Sequence, residues 1–260
     1  MYQEERLIGI LNHLEHHQRI NIETICELFD VSRDTARRDI IRLEEQGRIL
    51  RTRGGAILPT LSSHVANYSE RLRDEATTES KKAIGRMAAT LIHDGDYLLL
   101  DASTTVQYAA ESLHTQGHVV VTNSIDIADI LNRKEHIDVH LLGGKLHPEH
   151  RLIYGARAME MLSDYHVHKL LLGTCAITHD GLSNPYEEEG FLVREMMRRA
   201  DQVILLADHT KFGKRQFNRI SGLGPIDIII TDEEPSEEMK EALHRHEIDI
   251  IVAKGENPHD

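Results

Sequence analysis

Seven arginines stand between positions 33 and 53 (Arg33, Arg37, Arg38, Arg42, Arg48, Arg51 and Arg53) against Asp34, Asp39, Glu44 and Glu45. The chain around them has 260 residues and a net charge of −13. Guanidinium groups are planar forks of donors that fit phosphate oxygens and guanine edges. A basic cluster in an acidic chain points to a polyanion bound at one place, not to a protein that coats nucleic acid. A second set of residues follows apolar runs: "DASTT" (101–105), "TNS" (122–124), "GGKLHPEH" (143–150), "EEEG" (187–190) and "LADHTKFGK" near position 208. Hydroxyls and free backbone amides at a helix start hold phosphate without a lysine. Asp101, Ser103, Thr104 and Thr105 fit that chemistry, or equally a plain helix cap. Asn123 and Ser124 repeat the arrangement. Gly143 and Gly144 let backbone approach a ligand, and Lys145 or His147 can meet an anion. Glu188 and Glu189 either receive hydroxyl groups or complement a helix dipole. Asp208 and Lys211 complete the set.

The arginines need a helix to present them. Leu7, Ile10, Leu11 and Leu14 make one apolar stripe, and Ile25, Leu28 and Phe29 mark a second helix after a short "RINI" segment. "DVS" is a tight corner, with Ser32 as N-cap of a third helix that Gly47 ends. Ala36, Ile40 and Leu43 share that helix's inner face, with Asp34, Arg38 and Arg42 opposite and Thr35 and Arg37 on the flanks. "RILRTRGGAIL" then reads as a hairpin with Arg51, Thr52 and Arg53 at its tip. Three helices and a basic hairpin make a winged helix-turn-helix whose third helix fits the DNA major groove. Ser32, Arg33, Thr35, Arg37, Arg38, Arg42, Arg51 and Arg53 are the expected DNA contacts. The same charges also suit a solvated face laced with ion pairs, in which Asp39 and Asp34 orient arginines. Ile41 on the outward side has no role in this reading.

Residues 59–80, beginning at Pro59, read as a linker passing into a helix, which bounds a DNA-binding domain over 1–58 and a larger domain over 81–256. In the latter, apolar runs at 97–100, 119–122, 139–143, 169–173, 203–207, 226–230 and 248–252 alternate with amphipathic stretches. That alternation predicts a doubly wound parallel α/β sheet. Ligands of such sheets bind at the carboxyl ends of the strands, where the polar set collects. The two cysteines, Cys26 and Cys175, have no CxxC spacing, and no apolar run suggests a signal peptide or membrane span. A soluble cytoplasmic protein is expected. His166 and His168 alternate, and His147 and His150 stand three apart, but no set has zinc spacing, so no metal and no cofactor is expected. Asp101, Glu189 and Asp208 could act as bases, yet no acid–base pair stands out, and an enzyme is not expected.

The N-terminal motif of Arg6, Ile10, Leu14, Ser32, Thr35, Ala36, Arg37, Arg38, Asp39 and Ile40, with "LEEQG" and "RTRGGA", resembles the DeoR-type bacterial transcription regulators. "DASTT", "VTNS", "LLGG", Gly155, "EEGFLVREM" and "LADHTKFG" resemble that family's sensor domain, which is related in fold to ribose-5-phosphate isomerase. The resemblance implies a repressor that binds double-stranded operator DNA as a dimer or tetramer, with no membrane partner. It implies control of carbohydrate genes by a phosphorylated sugar, with Ser103, Thr104 and Thr105 on the phosphate and Lys211 near it. Arg71 and Lys81 stand where the family often has basic residues. Ser103 replaces a common glycine, His147 a frequent arginine and His168 a usual aspartate, which bears on the effector's identity. An isomerase-like enzyme with an accessory DNA module is the alternative.

Overall fold

The stripe of Leu7, Ile10, Leu11 and Leu14 closes a small core against Ile20, Ile25, Ala36, Ile40, Leu43, Ile49 and Ala56. A computed structural model of the chain describes residues 3–17, 19–45, 48–52, 54–57 and 75–253. They divide into two units, Met1–His64 and Val65–Asp260. The first holds α1 (Gln3–His17), β1 (Arg19–Asn21), α2 (Ile22–Phe29), α3 (Arg33–Glu45), β2 (Leu50–Thr52) and β3 (Gly55–Ile57). Asp30 takes a left-handed conformation (φ 51°) after α2, and its N–H bonds back to the Cys26 carbonyl. That turns the chain, and Ser32 Oγ then accepts from the Thr35 amide at 3.2 Å to start α3.

Three expectations are corrected in this unit. Arg51 and Thr52 belong to a strand, paired with Ala56 and Gly55, so they are not the hairpin tip. "RIN" of the "RINI" segment is itself a strand on the far side of β3, which makes the wing three-stranded in the order β1-β3-β2. Leu28 is 51% exposed, because α2 is only two turns long and its buried residue is Ile25. Gly47, Arg53, Leu58 and residues 59–74 with Arg71 lie outside the described residues.

In the second unit, α4 (Glu75–Thr90) precedes β4 (Tyr97–Leu100), α5 (Thr104–Glu111), β5 (His118–Thr122), α6 (Ile125–Leu131) and β6 (Ile137–Leu141). The hairpin β7 (Lys145–His147) and β8 (Leu152–Tyr154) follows, then α7 (Ala156–Leu162) and β9 (Val167–Gly173). Next come β10 (Ala176–Thr178), β11 (Gly181–Asn184), α8 (Glu187–Arg198), β12 (Ala200–Leu206) and a 3₁₀ turn (His209–Lys211). β13 (Asn218–Ser221), β14 (Ile228–Thr231), α9 (Glu237–Arg245) and β15 (Asp249–Val252) complete it. The boundary expected at 81 falls inside α4. The first turns of that helix are polar in sequence, but Thr77 and Lys81 are buried on its inner face.

All seven apolar runs pair in parallel in one sheet, in the order β15-β14-β12-β9-β4-β5-β6. Their continuous hydrophobicity has a direct cause, since alternate residues face opposite layers and both layers are covered. Leu98, Leu100, Val120, Leu171, Ile204 and Ile230 pack under α4, α5 and α6. Leu99, Val121, Leu170, Leu172, Leu205 and Ile229 pack under α7, α8 and α9. An antiparallel sheet β10-β11-β13 and the β7–β8 hairpin, neither read from the sequence, accompany the main sheet.

Candidate nucleic-acid interface and ligand site

The basic helix divides its charges between structure and surface. Asp39 is 1% exposed, and its carboxylate is gripped by Arg6 of α1 through Nε–Oδ2 at 2.5 Å and Nη2–Oδ1 at 3.1 Å. Gln3 adds a bond to Oδ1 at 3.2 Å. That hydrogen bond to Asp39, partly opposed by burial, raises Arg6 above the usual arginine value. Asp39 thus orients a residue of α1, thirty-three positions away, and no arginine of α3. Arg33 is paired with Glu23 of α2, Arg42 donates to Gln3 Oε1 at 2.7 Å, and Arg51 stands 3.5 Å from Glu44. Arg37 and Arg38 are exposed and form no hydrogen bond or ion pair among the described residues. Ser32 is committed to capping, bonded also to Thr35 Oγ1 at 3.0 Å. Between α3 and the wing lies a cleft of about 270 Å³ lined by Arg37, Ile41, Arg51, Thr52 and Gly54 among others. Ile41, 38% exposed, forms part of its wall.

In the larger unit the strand order reverses at β4, with β5 and β6 on one side and β9, β12, β14 and β15 on the other. The crevice at such a reversal opens between the carboxyl ends of β4 and β9. "DASTT" occupies it. Asp101 Oδ2 accepts from the Gly173 amide at 3.1 Å, and Ser103 Oγ caps α5 by accepting from Val106 at 3.1 Å. Ser103 has φ −101°, extended backbone that does not demand the family's glycine. Its side chain instead demands a glycine opposite. A Cβ on Gly173 would stand 2.2 Å from both Ser103 Cβ and Oγ. Gly173→Ala is expected to cost about 1–3 kcal/mol of the sensor unit's stability in urea unfolding. Adding Ser103→Gly should recover most of it, and a double variant no more stable than the single one would refute the contact. Thr104 and Thr105 follow at the first turn of α5, both buried.

The other expected residues lie on the same edge with mixed duties. Asn123, 2% exposed, donates through Nδ2 to the Ile153 carbonyl at 3.3 Å, while its Oδ1 is buried with no hydrogen bond among the described residues. Ser124 Oγ caps α6 at 3.2 Å. These bonds, with Ile153 N–H to the Asn123 carbonyl at 2.8 Å, tie β8 to the end of β5. Gly144 (φ 153°) leaves room for the Tyr154 carbonyl, 2.6 Å from where a Cβ would be, so its close approach is to protein. Gly143 faces open space. Lys145 lies 5.2 Å from the Tyr154 ring centroid, and a hydrogen bond to Tyr154 and the Glu188 charge hold it above the usual lysine value. Asp208 is fully buried. Its Oδ1 accepts from the Thr210 amide and hydroxyl, and its Oδ2 stands 3.6 Å from Lys211 Nζ.

Sequence reasoning missed Gly173, Tyr154 and Tyr186, and it missed His209 with Asp232. The His209 amide and Nδ1 bind the Asp232 carboxylate at 2.6 and 2.7 Å, joining the ends of β12 and β14. That hydrogen bond raises His209 above its usual value against a smaller effect of burial. The "TD" after the sixth apolar run was the available signal. His168 is at the opposite edge, at the start of β9. It stacks on Tyr97 with ring centroids 4.8 Å apart and accepts the Tyr97 amide at 3.1 Å. Its departure from the family pattern therefore does not touch the crevice.

Residues 6–61 match the DeoR-like helix-turn-helix domain and residues 76–233 the DeoR C terminal sensor domain. The HTH-type transcriptional repressor GlcR of Bacillus subtilis (strain 168) is 49% identical over 260 residues, 100% of each chain. The glycerol-3-phosphate regulon repressor of Escherichia coli (strain K12) is 30% identical over 252 residues, 96% of this chain and 99% of that one. Ribose 5 phosphate isomerase A of Neisseria gonorrhoeae aligns at a TM-score of 0.39 and 14% identity, over 52% of this chain and 53% of the other. With both of its domains matched and a full-length relative at 49% identity, the chain belongs to the DeoR family of helix-turn-helix transcriptional regulators.

Proposed function

We propose that this protein represses carbohydrate-metabolism genes by binding operator DNA, and that a phosphorylated sugar bound at the β4/β9 crevice sets its operator affinity. One observation carries the DNA half of the reading: α3 turns Arg37 and Arg38 outward unpaired among the described residues, while its acidic Asp39 is buried on Arg6. The relatives named as repressors, one of them of a glycerol-3-phosphate regulon, support the regulatory half. In this reading the amides of Thr104 and Thr105 and the hydroxyls of "DASTT" take the phosphate at the first turn of α5. Lys211 supplies charge beside it, and Asn123, Lys145 and Glu189 line the sugar side. Arg37, Arg38, Arg51 and the amides after Ser32 meet the DNA. Arg33 and Arg42 have partners within the protein and contribute less. A homo-oligomer, dimer or tetramer, suits this role, since one short recognition helix reads too few base pairs alone. Effector binding would act by favouring one spacing of the paired recognition helices over another.

The reading makes the protein a regulator and not a catalyst, because two of the three crevice carboxylates already carry structural bonds. Asp101 holds Gly173, and Asp208 caps a 3₁₀ turn. No helix among the described residues is long and apolar enough to cross a membrane. The test is binding of the purified chain to DNA from upstream of its own gene, at two salt concentrations, with and without a panel of sugar phosphates. Specific binding that one phosphate weakens or strengthens is the expected result. Absence of specific binding, together with turnover of a panel member, would establish the isomerase-like alternative.

A further inference from the structure

Two histidines of the β7–β8 hairpin and one carboxylate of α8 converge at the carboxyl edge of the sheet. We propose that His147, His150 and Glu189 form a binding site for a divalent cation of the zinc class, with one coordination position left for an oxygen of the ligand in the crevice. Side-chain nitrogens of both histidines and a carboxylate oxygen of Glu189 lie within 4.8 Å of one another. Two imidazoles and a carboxylate suit zinc and its neighbours better than magnesium or calcium, which prefer oxygen-only sets. Tetrahedral zinc bonds of about 2.0–2.1 Å place ligand atoms about 3.3 Å apart, so side-chain rotation closing about 1.5 Å completes the set.

The surroundings hold these groups in place. His150 is 4% exposed and lies 4.4 Å from the His147 ring and 5.5 Å from that of Tyr186, centroid to centroid. Tyr154 and Tyr186 flank His147 at 6.1 and 6.0 Å. His147 Nδ1 accepts the His150 amide at 3.3 Å. Coordination through Nε2 moves the ring proton to Nδ1 and gives up this long bond; coordination through Nδ1 replaces it. Either route loses little. β8, which closes the hairpin, is anchored to Asn123 at the end of β5. The cluster of His209, Asp232 and Glu233 is the other candidate among the described residues, but it lies at the surface and has no fully buried ligand.

Three protein ligands leave a fourth position for water or substrate oxygen. That this position receives a hydroxyl or phosphate of the effector rests on the proposed function; the cation site itself does not. The test uses the full chain, stripped with a chelator, titrated with Zn²⁺ by calorimetry and with Co²⁺ by visible absorption. Neither DNA nor sugar is present, so failure here is separate from failure of the repressor reading. About one Zn²⁺ per chain is expected, with four-coordinate Co²⁺ bands that shift when inorganic phosphate is added. Even outer-shell partners are worth about 10–100-fold in metal affinity, so His147→Ala and Glu189→Gln should each weaken binding at least about 10-fold. Glu189→Gln conserves side-chain volume, and thermal melts of both variants control for folding. No binding, or equal binding by wild type and the folded variants, overturns the site. A Co²⁺ spectrum indifferent to phosphate overturns the open position.

Discussion

Asp39→Ala is expected to unfold the DNA-binding unit while leaving the sensor unit folded. The variant strips a buried guanidinium of its two bonds to Asp39, since Arg6 is 7% exposed and binds Asp39 through both Nε and Nη2. Breaking one side of a buried ion pair costs about 3–5 kcal/mol, because the remaining charge is left in a poor dielectric. Whole domains are stable by only about 5–15 kcal/mol, and a unit of this size lies toward the low end. Calorimetry should therefore show an early transition shifted far down or absent, with the later transition unmoved. Operator binding should be lost with the early one. Replacing both partners with apolar residues, Arg6→Met with Asp39→Leu, should recover most of the stability, because the desolvation cost disappears with the charges. An unshifted early transition in Asp39→Ala would show that the pair is energetically idle.

Arg37→Ala with Arg38→Ala should do the opposite: leave both melting transitions near wild type and abolish operator recognition. Both side chains are exposed and unpaired among the described residues, so their removal breaks no hydrogen bond or ion pair seen within the protein. On DNA, a bidentate guanine contact or a phosphate contact is worth about 1–3 kcal/mol, and removing two of them weakens binding about 10²–10⁴-fold. An arginine that had neutralised a phosphate also takes about one unit of the log affinity against log salt slope with it. Arg33→Ala and Arg42→Ala are expected to cost less, since Glu23 and Gln3 already hold those groups. Operator affinity and salt slope that survive the double change would move the DNA face away from α3. A ranking in which Arg33 outweighs Arg37 would mean that its pairing with Glu23 opens on binding.

Much of the architecture was legible because it depends on near neighbours in the chain. Continuous apolar runs such as 169–173 and 203–207 became strands covered on both faces, since such runs have no solvent side. Ser32 and Ser103 became caps because a hydroxyl before a helical stretch reaches the amide three residues on. Where the signal was weak, the reading slipped. Three residues of "RIN" are too few to show a period, and the polar first turns of α4 made the helix seem to start later than Glu75.

The sequence by itself determined the seven parallel strands and their α/β class, the helix-turn-helix and the polar segments that follow several of the strands. Tertiary structure decided what those loops and charges do. Strand order put the reversal at β4 and so made Gly173 the partner of Ser103, seventy positions away. Packing of α1 on α3 turned Asp39 into the counter-ion of Arg6 and left Arg37 and Arg38 exposed. Docking of the β7–β8 hairpin near the start of α8 brought Glu189 to His147 and His150, a set that no local spacing reveals. The physical reason is common to all three. Caps and periodicities are decided within a few residues, whereas the partners of a buried charge or a converging ligand set are chosen by which elements pack together.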